Sequence, residues 1–137
     1  MTEFTGGCLC GAIRHEVRGE LLRMLNYHCD DCRRATGSSF GTYVFVNESD
    51  LTILQGIPKS FEHPNGASVI MTKRFCGNCG THLFGKGSRA RGMIHVKVGT
   101  IDDASFVRPE MDLFVSKKLP FVRLADETEH FDMGRPR

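Results

Sequence analysis

No apolar run in this chain approaches the roughly 20 residues that a helix needs to cross a bilayer. Nothing in it therefore reads as a transmembrane span. Excess charge of one sign is lacking too: 18 Lys and Arg against 16 Asp and Glu leave a net charge of +2. That balance excludes a chain that holds nucleic acid by bulk charge. The opening residues, MTEFTGGCLCG, carry no basic patch followed by an apolar core, so no secretory signal is expected in them. Internal repeats, low-complexity tracts and linkers are missing as well. The expectation is one domain over residues 1–137, cytoplasmic, with neither a membrane nor a nucleic acid as partner.

Cysteine and glycine are what the chain has. The six cysteines come as three close pairs: Cys8 and Cys10 in GGCLCGAI, Cys29 and Cys32 in YHCDDCRR, Cys76 and Cys79 in FCGNCGTHLF. In a reducing compartment such pairs read as metal ligands or redox groups rather than structural disulfides. Glycines bracket the first and last pairs, and glycine lets a backbone fold back so that both sulfurs face one ion. A tetrahedral ion takes four thiolates. Cys8, Cys10, Cys76 and Cys79 thus read as one closed, structural zinc site. Cys29 and Cys32 read as a second, poorer metal site, and as the place where chemistry would occur.

The remaining pattern is mostly β. Ile13–Arg18 alternates, with Ile13, His15 and Val17 on one face, and Leu21–Tyr27 is expected to pair with it through a Gly19-Glu20 turn. Asp30–Ala35 suits one short helix, capped by Asp30 or Asp31 and stopped by Gly37. Short strands are expected at 39–46, 51–54, 59–63, 67–75, 81–84, 93–98 and 111–115, with a turn at Pro64-Asn65-Gly66. Gly85–Gly92 (GKGSRARG) reads as a solvated loop, Asp102–Ser105 as a turn of helix, and Glu127–Arg137 as a loosely held tail. Phe40, Phe45, Phe75, Phe84, Phe106 and Phe114 read as core residues. Many short strands and few helical periods make this an all-β domain.

The three cysteine groups, in this order, resemble the glutathione-dependent formaldehyde-activating enzyme family. The matching stretches are GGCLCGAIRHEV, HCDDCRRATGSSFG, FCGNCGTHLF and a β-rich end with SKKLPFV, from Gly6 to about Phe131. The resemblance implies a β-tent fold of short antiparallel strands clamped by a structural zinc at Cys8, Cys10, Cys76 and Cys79. It also implies a second zinc at the middle motif. The family's activity is carbon–sulfur bond formation or cleavage, joining glutathione and formaldehyde as S-hydroxymethylglutathione. One branch includes a centromere-associated protein. The expected partner is therefore a small-molecule thiol, such as glutathione, or its aldehyde adduct.

The chain departs from the family at one point. The family's middle motif is C-H-C-x-x-C; here it reads Tyr27-His28-Cys29-Asp30-Asp31-Cys32. Two thiolates hold zinc less firmly than three. In an extended backbone Tyr27 and Cys29 face one way and His28 the other. His15, His63, His82, His95 and His130 are candidate replacement ligands, with His82 expected beside the structural knuckle. Arg33 and Arg34 could attract an anionic thiol. Two functions follow: a carbon–sulfur lyase working at Cys29 and Cys32, or a non-catalytic zinc-stabilised binding module whose second metal site has degenerated.

Overall fold

A computed structural model describes residues 2–135. The small sheet holds three strands in the order β1 (Thr2–Gly7), β2 (Arg14–Gly19), β5 (Leu51–Gln55). The large sheet adds β3 (Arg23–Tyr27), β4 (Gly41–Asn47), β6 (Lys59–Pro64), β7 (Ile70–Phe75), β8 (His82–Gly87), β9 (Met93–Lys97), β10 (Met111–Leu113) and β11 (Glu129–His130). Its spatial order is β11-β10-β3-β4-β9-β8-β7-β6. The pairings are antiparallel except around β10, which runs parallel to both β3 and β11. One helix, α1 (Asp30–Thr36), follows β3. The all-β reading stands, and among the described residues no helix is long and apolar enough to cross a membrane.

The two sheets close on a single core. Ile13 and Val17 from around β2, and Phe4 from β1, meet Val44, Val46, Leu83, Phe84, Ile94 and Val96 from the large sheet. Alternation places them there, as expected for a sheet with one face turned inward. The central strands go further. β4 and β9 bury consecutive residues, Tyr43 with Val44 and Ile94 through Lys97, because both faces of the large sheet are covered at its middle.

His15 sits inside this core, fully buried, with Nε2 3.2 Å from the Thr100 hydroxyl and its ring edge-on to Phe84. Burial, then the nearby Arg14, lowers it from 6.5 to about 4. Its neutral form is the one the fold accepts. The unfolded chain therefore binds the extra proton first, and stability falls as pH drops from about 6.5 to about 4. The expected loss is about 3 kcal/mol. Urea melts across that window check it: His15→Gln should flatten that part of the slope.

Several expectations are corrected. Leu21–Tyr27 does not pair with Ile13–Arg18; β2 lies between β1 and β5, while β3 joins the other sheet. The chain leaves one sheet for the other at Gly19-Glu20, a switch that local alternation does not encode. Strand β1, hidden in the polar TEFTGG, was not anticipated. Asp102–Ser105 is not helical. A 3-10 turn forms earlier, at Val98–Thr100, and Asp102 instead binds Arg14 and the Thr5 hydroxyl. The first residues of GKGSRARG finish β8 rather than lying in solvent. The tail is also held: Phe131 donates its N–H to Asp112 at 2.9 Å, and Val115 donates to Phe131 at 3.0 Å. Residues 136 and 137 of that segment lie outside the described residues.

Candidate functional site

Two tight turns bring four sulfurs together. One joins β1 to β2 through Cys8 and Cys10; the other joins β7 to β8 through Cys76 and Cys79. All four Sγ atoms lie within 4.8 Å of one another. Cys10 Sγ is 3.7 Å from Cys8 Sγ and 3.8 Å from Cys76 Sγ. Backbone N–H groups of Ile13 and Asn78 donate to Cys8 and Cys76 at 3.2 and 3.4 Å, and the Thr81 hydroxyl lies 3.2 Å from Cys79 Sγ. Donors of this kind favour thiolate. Thr81 brings Cys79 down to about 5. Burial pushes Cys8 up, but the Ile13 amide and the neighbouring thiols outweigh it and leave Cys8 lowered. The group could hold one metal ion, and four protein ligands leave no position open on it.

The second site lies on the outer face of the large sheet. Register builds it. Phe45 pairs with His95, His95 with Gly85, and Gly85 with Lys73, while Tyr43 pairs with Lys97. Paired residues share a face, so two lysines, a histidine and two aromatics stand in adjacent rows. A cavity of about 230 Å³ opens over them, lined also by Tyr27 and by Cys32 from α1. Gly85 makes the room. A Cβ there would sit 2.6 Å from the His95 ring, inside van der Waals contact. Gly85→Ala is expected to displace His95 and destabilise the fold by about 1–3 kcal/mol, read in a urea melt.

The cavity is cationic and short of carboxylates. Lys97 Nζ lies 2.8 Å from His95 Nε2 and 3.7 Å from the centre of the Tyr43 ring. Lys73 Nζ donates to His63 Nε2 at 2.7 Å, since His63 Nδ1 is occupied by the Pro64 carbonyl. Burial lowers Lys97 to about 7, against the pull of the Cys32 thiol. Burial, then Lys97 and Lys73, holds His95 well below its ordinary value. Cys29 and Cys32 share a hydrogen bond that lowers Cys29 to about 7 and raises Cys32. The buried Tyr43 hydroxyl, close to Cys32, is pushed up by burial and by that thiol. α1 runs from Asp30 to Thr36 and stops at Gly37 as expected, but neither aspartate caps it; Cys29 holds the cap position and Asp30 binds Arg33 at 2.8 Å.

The other expected ligands go elsewhere. Tyr27 stacks on Tyr43 with ring centres 5.2 Å apart, and also packs near Phe45 and Phe114. Phe45 thus faces the cavity rather than the core. His28 is buried beneath, with Nε2 2.7 Å from Asp112 Oδ1. Asp112 also accepts from Thr128 Oγ1 at 2.5 Å and from Asn26 Nδ2 at 3.1 Å. His15 is in the core, His63 and His95 engage the lysines, and His130 contacts Ala125 and Thr128. His82 lies just past the knuckle, as expected, with its ring stacked on Phe75 at 5.8 Å, and it lines a hollow with Thr81, Arg34 and Lys97. Among the described residues, only Cys8, Cys10, Cys76 and Cys79 form a group of three or more metal-ligating side chains. Lys73, Lys97, Tyr43 and Asp112 were not singled out from sequence. The one available signal was alternation in MIHVKVG, which turns His95 and Lys97 away from Ile94 and Val96.

An all-β scaffold with a four-cysteine clamp and a dithiol above a lysine-lined cavity defines the class of protein. The family model described as glutathione-dependent formaldehyde-activating enzyme matches residues 3–117, and the chain belongs to that family. A protein of Schizosaccharomyces pombe, described as an uncharacterized lyase, is 29% identical over 84 residues, 61% of this chain. The chain spans 58% of that relative's length. A crystal structure of a Rhodobacter sphaeroides protein superposes with a TM-score of 0.56 at 25% identity, covering 72% of this chain and 87% of that one.

Proposed function

We propose that this chain is a carbon–sulfur lyase acting on the adduct of a small thiol, glutathione or a relative of it, with formaldehyde or another aldehyde. The observation that carries this reading is the convergence of Lys73 and Lys97 on one small cavity with Cys32, whose partner in the family's middle motif is Cys29. Family membership and the lyase description of the yeast relative support it.

The ion suited to the clamp is zinc. Sulfurs about 2.3 Å from a tetrahedral ion lie about 3.8 Å apart, matching the closest sulfur pairs. Cys8, Cys10, Cys76 and Cys79 would hold it, and when bound it supplies folding free energy. The middle motif does not fit a second zinc. Among the described residues Cys29 and Cys32 are two sulfurs without a third ligand, beside two lysines, and the Tyr27 stack stands where the family has its first cysteine.

Chemistry then falls to the chain's own groups. Arg34 and Arg89 border the hollows and attract the carboxylates of the thiol. Cys29, lowered to about 7, accepts the hydroxyl proton of the adduct. The carbon–sulfur electron pair leaves with sulfur, the carbonyl forms, and the Lys73 ammonium balances the thiolate. The test is formaldehyde–glutathione exchange followed by NMR: acceleration over buffer, reduced at least about tenfold in Cys29→Ser, is expected. Binding of the thiol without acceleration would instead favour the binding-module reading, for which the Tyr27 stack speaks. A further variant, Tyr27→Cys, restores the third sulfur and should raise zinc from one to two per chain in metal analysis. A count that stays at one would show that the surrounding lysines, not the missing sulfur, close the position.

A further inference from the structure

Lys97, 6% exposed, and Lys73, 8% exposed, both line the cavity, and among the described residues neither has a carboxylate partner. Lys86 in the same wall shows the contrast, since Glu48 meets it at 2.9 Å. Among the described residues no aspartate or glutamate lines the cavity. Cys32 does, but it shares a hydrogen bond with Cys29, so the thiol pair keeps a proton and brings at most one negative charge. The lysines' own contacts are neutral groups. Lys97 Nζ donates to His95 Nε2 at 2.8 Å and lies 3.7 Å from the centre of the Tyr43 ring, and both contacts favour an ammonium. Lys73 Nζ donates to His63 Nε2 at 2.7 Å. An ammonium has three N–H groups. Each lysine therefore keeps at least one buried donor with no acceptor among the described residues, and a buried charge is costly until it is paired. An anion is the occupant that pairs both.

Size and exposure say which anion. About 230 Å³ is below the roughly 300–1,000 Å³ of pockets for drug-sized ligands, so the occupant is small. Arg34 and Arg89 are exposed and suit the outlying carboxylates of the thiol. The buried lysines meet instead the part that enters beside Cys32, which is the carbonyl half. We propose that Lys73 and Lys97 together hold the carboxylate of a small oxo acid, and that this acid, rather than formaldehyde, is the carbonyl half of the substrate. The substrate assignment rests on the lyase reading; the carboxylate site itself needs no thiol. The bond changes are those already described. The carbon–sulfur bond breaks with its electron pair on sulfur, the hydroxyl proton passes to Cys29, and the oxo acid is released without oxidant or reductant. Lys73 has one N–H on His63, a second for the carboxylate and a third for the leaving thiolate.

Calorimetry of the metal-loaded wild type in phosphate-free, low-salt buffer uses glycolate, which has the carboxylate but no carbonyl to react. One glycolate per chain is expected, bound at least about tenfold tighter than neutral glycolamide. Lys73→Met and Lys97→Met should each weaken it at least about tenfold. Equal affinity for glycolamide, unchanged binding in either variant, or tighter binding of phosphate than of glycolate would overturn the site. If a variant does not fold, nuclear Overhauser contacts from the glycolate methylene to the Met71 and Met93 methyls of the wild type place the ligand, and their absence overturns the site too. Exchange with glutathione, followed by NMR, then compares glyoxylate with formaldehyde. Acceleration over buffer is expected to be at least about tenfold greater for glyoxylate. Glycolate binding with acceleration for formaldehyde alone would overturn the oxo acid as substrate. Acceleration without glycolate binding overturns the carboxylate site and leaves the lyase reading standing. Glycolate binding with no acceleration for either aldehyde defeats the lyase reading, and the substrate assignment with it, and upholds the carboxylate site.

Discussion

Cys76→Ser is expected to lose its stoichiometric metal and to melt far below the wild type. Cys76 is 2% exposed and central to the clamp, accepting an N–H from Asn78 and lying 3.8 Å from Cys10, 66 residues away in sequence. A hydroxyl in its place is a poor zinc ligand, and three remaining sulfurs close the site less firmly. Structural zinc contributes on the order of 10 kcal/mol in small zinc domains, whereas whole domains are stable by about 5–15 kcal/mol. Losing even half of the metal's contribution removes from about a third to all of that margin. Thermal melting and zinc per chain are the measurements. A variant that stays folded with a full metal complement would show that the cysteine cluster is not what joins the two turns. Cys29→Ser should leave the zinc count unchanged.

The second large effect is expected at Asp112. Its carboxylate is 2% exposed and takes hydrogen bonds from His28, Thr128 and Asn26; Asn26 in turn accepts from Thr42 at 2.7 Å. Burial alone would push the carboxyl up, but those donors overcome it and hold Asp112 below its usual range. Asp112→Ala strands the buried His28 and takes an acceptor from Thr128 and the half-buried Asn26, and the expected cost is about 3–5 kcal/mol. Asp112→Asn keeps an acceptor and should cost less. The sign with pH follows: the folded carboxyl is depressed, so its contribution is present above the unfolded value near 3.8 and is lost as pH falls through the folded one. Urea melts of both variants provide the check. A loss under about 1 kcal/mol for the alanine variant would mean that the network does not hold β10 and β11 in place.

How much of this was legible depends on whether a feature is local. The glycine-flanked pairs Cys8/Cys10 and Cys76/Cys79 announce a clamp because spacing and turn chemistry lie within a few residues. Ile13, His15 and Val17 declare a buried face for the same reason. The helix after Cys29 ends where Gly37 permits a left-handed backbone, with its N–H bonded to the Arg33 carbonyl. What sequence concealed is what register decides. Lys73, Gly85 and His95 lie on three strands and become neighbours only once β7, β8 and β9 align. The parallel contact of β11 is carried by backbone groups of polar residues, which leave no apolar period to read. The wrong partner for Leu21–Tyr27 has the same origin, since a two-residue turn suggests a hairpin unless the sheets part there.

The aromatic stack at the cavity has an optical consequence. The chain has no tryptophan and two tyrosines, both in that stack. Near-ultraviolet absorption and emission above the phenylalanine band therefore arise at the cavity wall alone. A ligand entering there should change the intensity of native fluorescence and the near-ultraviolet dichroism without any added dye, giving a titration signal confined to the place where binding is in question.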